Sequence, residues 1–150
     1  MAVRVAMFGA GNSWRKKFKS EYEKHGIPFY DILKNSKNIM KYIEYPVIVC
    51  PVSGEDYGFD AIAQVDFFIS KLTEMPGGYG RDVCFFIERK LDEKLKNTFL
   101  RRLSDHARAR VVHTLKKVIT NKKVNVNANI HLIDSMDELL DFSIRLANYR

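Results

Sequence analysis

Residues 2–15, AVRVAMFGAGNSWR, decide the fold of this chain. An apolar run leads into Gly9 and Gly11, and an amphipathic stretch follows at once. A short apolar run that ends at a glycine-rich turn is typical of a buried strand that continues into a helix. Ser13 stands where it can cap this helix, which we expect over 14–25.

The same alternation of apolar runs and amphipathic stretches continues along the chain. Strands are predicted at 2–8, 27–31, 46–50, 82–88 and 130–133. Helices are predicted at 14–25, 60–73 and 136–148, twice within 90–120 with a break at Ser104, and once, briefly, within 32–45. Alternating strands and helices form parallel βαβ units. We therefore expect a single α/β domain over 1–150, with a doubly wound, mostly parallel five-stranded sheet in the order 2-1-3-4-5 and helices on both faces.

Composition places the chain among ordinary globular proteins. Hydrophobic residues make up 46% of its 150 residues, and no apolar run approaches the ~18 residues that a membrane span needs. The start of the chain lacks the pattern of a signal peptide, so we expect a cytoplasmic protein without a membrane partner. Cys50 and Cys84 lie in apolar runs and are expected to be reduced core thiols. The cysteine and histidine spacings predict no metal site.

Positive charge is concentrated in one segment. The net charge is +7, and residues 89–123 hold twelve Lys or Arg against three Asp or Glu. Such a segment is either a solvated helix surface or a site for phosphate-bearing partners. A nucleic-acid binder is therefore one alternative function, although Phe99 is the only aromatic residue in the segment and stacking on single strands is poorly supported.

Candidate site residues follow from the predicted sheet, because ligands of such sheets bind beyond the carboxyl ends of the strands. The glycine turn offers free N–H groups that suit an anion, and Arg15 could add a charged fork. Residues expected around one cavity are Gly9, Gly11, Ser13, Trp14, Asp31, Ser53 and Asp60. The turn at Pro76–Gly80 is expected at the opposite end of the sheet.

A dinucleotide cofactor fits the glycine turn poorly. Asp31 lies about 20 residues beyond Gly11, where a ribose-binding acid would stand. However, Trp14 occupies the third glycine position of the G-x-G-x-x-G pattern, and its bulk obstructs close packing there. We expect no cofactor.

Three motifs, in order within about residues 3–72, carry a family resemblance. They are FGAGNSWR at 8–15, HGIPFYD at 25–31 and GFDAIAQ at 58–64. Together they resemble the nucleoside 2-deoxyribosyltransferase-like family. The resemblance implies a flavodoxin-like fold, a nucleoside or nucleotide ligand, sites often completed across a homodimer, and cleavage or transfer of an N-glycosidic bond by a helix-borne glutamate.

The chain departs from that family at the glutamate. Gln64 stands at its position, and an amide is a poor nucleophile without negative charge. Asp60 lies one helical turn earlier, where it either replaces the missing carboxylate or caps the helix. The expected function is therefore nucleoside or nucleotide binding, with N-deoxyribosyltransferase or N-glycoside hydrolase activity left open. The alternative is a module without catalysis that senses a nucleotide or docks a partner.

Overall fold

Five strands of the computed structural model form one parallel sheet in the order 2-1-3-4-5, which confirms the predicted fold class. The structure describes residues 4–32, 45–74, 81–120 and 129–149. The strands are β1 (Val5–Met7), β2 (Phe29–Asp31), β3 (Val47–Val52), β4 (Asp82–Ile87) and β5 (Asn129–Leu132). Strand β3 is buried along its whole length, as expected of a central parallel strand that is covered on both faces.

Four helices cover the two faces of the sheet within the described residues. They are α1 (Ser13–Lys24), α2 (Phe59–Glu74), α3 (Thr98–Thr120) and α4 (Met136–Tyr149). Helices α1 and α4 enclose one apolar core with the sheet, and α2 and α3 enclose the other. The hydroxyls of Tyr22 and Ser143 join α1 to α4 at 2.7 Å. No helix in this part of the chain combines the length and hydropathy needed to cross a membrane.

The two cysteines are unpaired and lie within the cores, as predicted. Burial raises the pKa of the Cys50 thiol to about 12 and raises that of Cys84 as well. Both thiols are therefore protonated at neutral pH and unsuited to nucleophilic chemistry.

The prediction of two helices within 90–120 is wrong. Residues 91–97 have no regular structure, and one helix of 23 residues follows. Ser104, expected to break the helix, lies buried inside it and donates its hydroxyl to the carbonyl oxygen of Tyr57 at 2.6 Å. A serine in a helix interior is tolerated when its side chain bonds to a neighbouring segment. The turn at Pro76–Gly80 and most of 32–45 lie outside the described residues.

The order of the strands places a crevice beside β1. Strand β1 lies between β2 and β3, so the chain leaves it toward one side of the sheet and later crosses to the other. Loops on the two sides of such a switch point diverge and leave space for a ligand.

Candidate functional site

The turn after β1 packs directly on the end of β3. Gly9 and Gly11 have φ values of 94° and 98°, which glycine adopts far more readily than other residues. A Cβ atom on Gly9 would lie 2.0 Å from the carbonyl oxygen of Pro51, and one on Gly11 would lie 2.7 Å from the Ser53 hydroxyl. Both glycines are therefore needed for this approach.

Arg15 stabilises the glycine turn by hydrogen bonds to its backbone. Its side chain is only 3% exposed and donates to the carbonyl oxygens of Phe8, Gly9 and Gly11 at 2.9 to 3.1 Å. It also forms an ion pair with Asp31, at 2.5 Å. Burial lowers the pKa of Arg15, and the charge of Asp31 opposes that effect. Arg15 and Asp31, which were each predicted to bind a ligand, thus form an ion pair that links the glycine turn to β2.

A cavity of about 600 Å³ opens above the turn, at the switch point. We call it the glycine-turn cavity. Gly9, Gly11, Arg15, Asp60 and Gln64 of the predicted site belong to its wall. It is lined by Phe8, Gly9, Ala10, Gly11, Asn12, Arg15, Ile32, Asp56, Gly58, Phe59, Asp60, Ala61 and Gln64.

Gln64 reaches this cavity from the second turn of α2. Its Oε1 accepts a hydrogen bond from the Gly9 N–H at 3.1 Å. Only the oxygen of the carboxamide can accept this bond, so the orientation of the group is fixed. The NH2 group of Gln64 is then a donor at the cavity wall. Ile62, two positions before Gln64, and Val65, the next position, are buried in the core.

Aromatic and acidic side chains complete the wall on the side of α2. Phe59 is 40% exposed and its ring stacks on that of Tyr57, with ring centres 6.2 Å apart and planes 17° apart. Asp60, the next residue, is also exposed. The cavity therefore offers an apolar ring face, a carboxylate and an amide donor within one and a half helical turns.

The predicted single cavity is in fact two. Ser13, Trp14 and Ser53 line a second cavity, of about 630 Å³, which lies beyond the start of α1. Asp31 lines neither of these two cavities. The other residues around the second cavity are Lys17, Phe18, Gly54, Glu55, Glu88, Lys90, Leu91, Asp92, Glu93 and Met136.

The carboxylate of Glu55 lines the second cavity and lies at the start of α1. It accepts hydrogen bonds from the backbone N–H groups of Asn12, at 3.2 Å, and Ser13, at 3.3 Å, and from the Ser13 hydroxyl. The prediction that Ser13 caps α1 is wrong, because the N-cap residue is Asn12 and its side chain makes no capping bond. The cap comes from Glu55, 43 residues away.

Comparison with known proteins identifies no relative of this chain by sequence. No protein family matches it, and no curated protein matches it. It is similar to one solved structure, a de novo designed Rossmann fold protein, at 12% sequence identity and a TM-score of 0.39. That likeness covers 97% of this chain and 98% of the designed one. The function of the site therefore has to be argued from its own geometry.

Arg108, a residue that sequence reasoning missed, stabilises the loop that carries Glu55 by hydrogen bonds. Arg108 is fully buried in α3 and its Nε donates to the Ser104 hydroxyl at 3.0 Å. The other donors of its guanidinium reach five backbone carbonyl oxygens at 2.7 to 3.2 Å. These belong to Val52, Ser53, Asp56, Tyr57 and Glu88.

Only a weak signal for this role exists in the sequence. Arg108 lies three and seven residues before the buried Val111 and Leu115, on the apolar stripe of α3. Burial lowers the pKa of Arg108. An arginine retains its proton in proteins, so the group is a buried cation.

Part of the positive charge of the basic segment is buried or paired within residues 89–120. Arg108 is buried, Arg89 pairs with Asp105 at 3.3 Å, and Arg110 pairs with Asp66 at 2.9 Å. The alternative of a nucleic-acid binder stays a prediction.

No metal centre is apparent in the residues that the structure describes. Within 4–32, 45–74, 81–120 and 129–149, no three His, Cys, Asp or Glu side chains are grouped so that they could hold a metal ion.

Proposed function

We propose that the glycine-turn cavity binds a nucleoside or a closely related ligand, and that Gln64 makes the chain a binding protein with slow or absent N-glycosidic turnover. The observation that carries this proposal is the position of Gln64. Its side chain lies in the cavity, bonded to the Gly9 N–H. This is the position at which the family that the sequence resembles has its glutamate nucleophile.

The cavity wall suits the two parts of a nucleoside. The exposed ring face of Phe59 can pack against a planar base. The NH2 group of Gln64 can donate to a sugar oxygen or a base carbonyl, and the carboxylate of Asp60 can accept from a hydroxyl or an amino group. A volume of about 600 Å³ falls within the usual range for small-molecule sites.

The same geometry explains why turnover should be slow. Displacement of a base needs a carboxylate that attacks the anomeric carbon, so that the C–N bond breaks and the base leaves with a proton. The resulting glycosyl ester is then opened by water. An amide does not form that ester, and the oxygen of Gln64 is committed to the Gly9 N–H. Binding without catalysis is therefore the favoured form of the proposal.

Replacing Gln64 by glutamate tests this assignment. The carboxylate introduced by Gln64→Glu retains an acceptor for the Gly9 N–H and adds the missing nucleophile. We expect release of free base from deoxynucleosides, followed by liquid chromatography, to rise on the order of 100-fold over the unmodified chain. Binding, followed by calorimetry, should change much less.

Two further variants are the controls for this experiment. Gln64→Ala should be as inactive as the unmodified chain, and Asp60→Asn in the Gln64→Glu background reports whether Asp60 assists. Robust turnover by the unmodified chain that persists in Gln64→Ala would assign the chemistry to another group, such as Asp60. If no nucleoside or nucleotide binds to either form, the proposed function is wrong.

Homodimer formation and a cytoplasmic location stay predictions.

A further inference from the structure

The start of α1 is where a phosphate group would be expected to bind, because backbone N–H groups point out of it and the helix dipole favours negative charge. In this chain a carboxylate already occupies the position. Glu55 accepts from the N–H groups of Asn12 and Ser13 and from the Ser13 hydroxyl. Asn12 lines the glycine-turn cavity, whereas Ser13 and Glu55 line the second cavity, so the bond from the Asn12 N–H to Glu55 lies at the edge of the proposed ligand site.

The backbone behind Glu55 is fixed on both sides. The Glu55 N–H donates to the Ser53 hydroxyl at 3.0 Å, and the Gly54 carbonyl accepts from the Asp92 N–H at 2.8 Å. Arg108 holds the carbonyl oxygens of Ser53 and of the two residues after Glu55. These bonds hold the loop in place, so an incoming anion cannot displace the carboxylate of Glu55 by moving the loop without breaking them.

The charges around the cavity also oppose an added phosphate. Asp56 and Asp60 contribute carboxylates to the wall. The cation of the wall, Arg15, is paired with Asp31 and bonded to carbonyl oxygens. Lys19, on the same helix, pairs with Asp31 as well, at 2.7 Å. A dianionic phosphate at this wall would meet net negative charge, and the N–H groups of Asn12 and Ser13 are already bonded to Glu55.

We propose that Glu55 is a specificity-determining residue, which restricts the glycine-turn cavity to ligands without a phosphate group at the end nearest α1. The preferred ligand is then an unphosphorylated nucleoside rather than a nucleotide. This inference rests on the proposed function for the identity of the ligand. The block against phosphate rests on the contacts of Glu55 alone.

The first arm of the test compares a deoxynucleoside with its 5′-monophosphate by calorimetry. The unmodified chain should bind the nucleoside at least about tenfold more tightly, a difference of about 1.4 kcal/mol. Glu55→Gln should lower the ratio of the affinity for the nucleoside to the affinity for the monophosphate. Glu55→Ala, which frees all three donors, should lower this ratio by roughly tenfold. As a control, Glu23→Gln removes one negative charge from an exposed residue of α1 and should leave the ratio of the two affinities unchanged.

The second arm uses inorganic phosphate as the probe and does not depend on a nucleoside. Amide resonances of Asn12 and Ser13 should stay in place when phosphate is added to the unmodified chain, and should move in Glu55→Ala. If they move equally in both, the inference is wrong. The inference also fails if the unmodified chain binds the monophosphate as tightly as the nucleoside, although the proposed function then survives. If no nucleoside binds while the phosphate arm behaves as expected, the proposed function fails and the block by Glu55 stands.

Discussion

Replacing Arg108 by methionine is expected to lower the free energy of unfolding by about 4 kcal/mol or more, because each buried group left without a partner costs about 1 to 3 kcal/mol. Five carbonyl oxygens accept from this guanidinium, and it is 0% exposed. Some of the five have a second donor, such as the Ser104 hydroxyl on Tyr57, which keeps the loss below the sum. Denaturant unfolding followed by circular dichroism measures the change.

A matched variant on the same helix separates this effect from a general effect on α3. Arg102 is exposed, and Arg102→Met should change the free energy of unfolding by no more than about 0.5 kcal/mol. A loss below about 1 kcal/mol in Arg108→Met would show that water replaces the guanidinium without penalty. In a variant that still folds, binding at the glycine-turn cavity should weaken, since the loop with Glu55 and Asp56 loses its anchor.

Replacing Gly9 by alanine is expected to lower the free energy of unfolding by about 3 kcal/mol or more, since strain from φ costs about 1 to 2 kcal/mol and overpacking costs about 1 to 3 kcal/mol. The added Cβ would lie 2.0 Å from the Pro51 carbonyl oxygen, so the turn has to leave β3. That movement would also break the hydrogen bond from the Gly9 N–H to Gln64. Thermal or denaturant unfolding measures the loss of stability, and calorimetry measures ligand binding.

Gly26 provides the control for this substitution. It also has a positive φ, 63°, but a Cβ there would meet nothing within 4 Å. Gly26→Ala should therefore show the conformational strain alone, about 1 to 2 kcal/mol, and should leave ligand binding intact. Equal losses in the two variants would contradict the role given to the contact between Gly9 and Pro51.

The fold could be predicted because its determinants are local. The apolar run of β3 is buried along all six residues, and the glycines after β1 mark a turn by themselves. Once five such strands alternate with helices, parallel pairing leaves few arrangements of the sheet. The predicted order therefore agrees with the structure, although strand and helix ends differ by a few residues.

The details of the site could not be predicted because they depend on contacts between distant segments. Glu55 meets Asn12 across 43 residues, and Ser104 meets Tyr57 across 47. Local chemistry favours Ser13 as a cap and Ser104 as a break, and both predictions are wrong because a partner from another segment decides the outcome. Gln64, by contrast, is expected at the site from the family resemblance, because it stands at the position of that family's glutamate, and it lines the glycine-turn cavity.

The hydrogen bonds of Arg108 also imply an order in which the segments of the chain reach their final structure. The carbonyl oxygens of Ser53, Asp56 and Tyr57 lie 51 to 55 residues before the guanidinium that holds them. A ribosome therefore completes the glycine turn and the Glu55 loop well before it adds the side chain that fixes their shape. Contacts of such long sequence separation form late in folding. The edge of the sheet that carries the glycine-turn cavity thus becomes complete only after α3 has docked, so a nascent chain that stops short of α3 lacks the finished cavity wall.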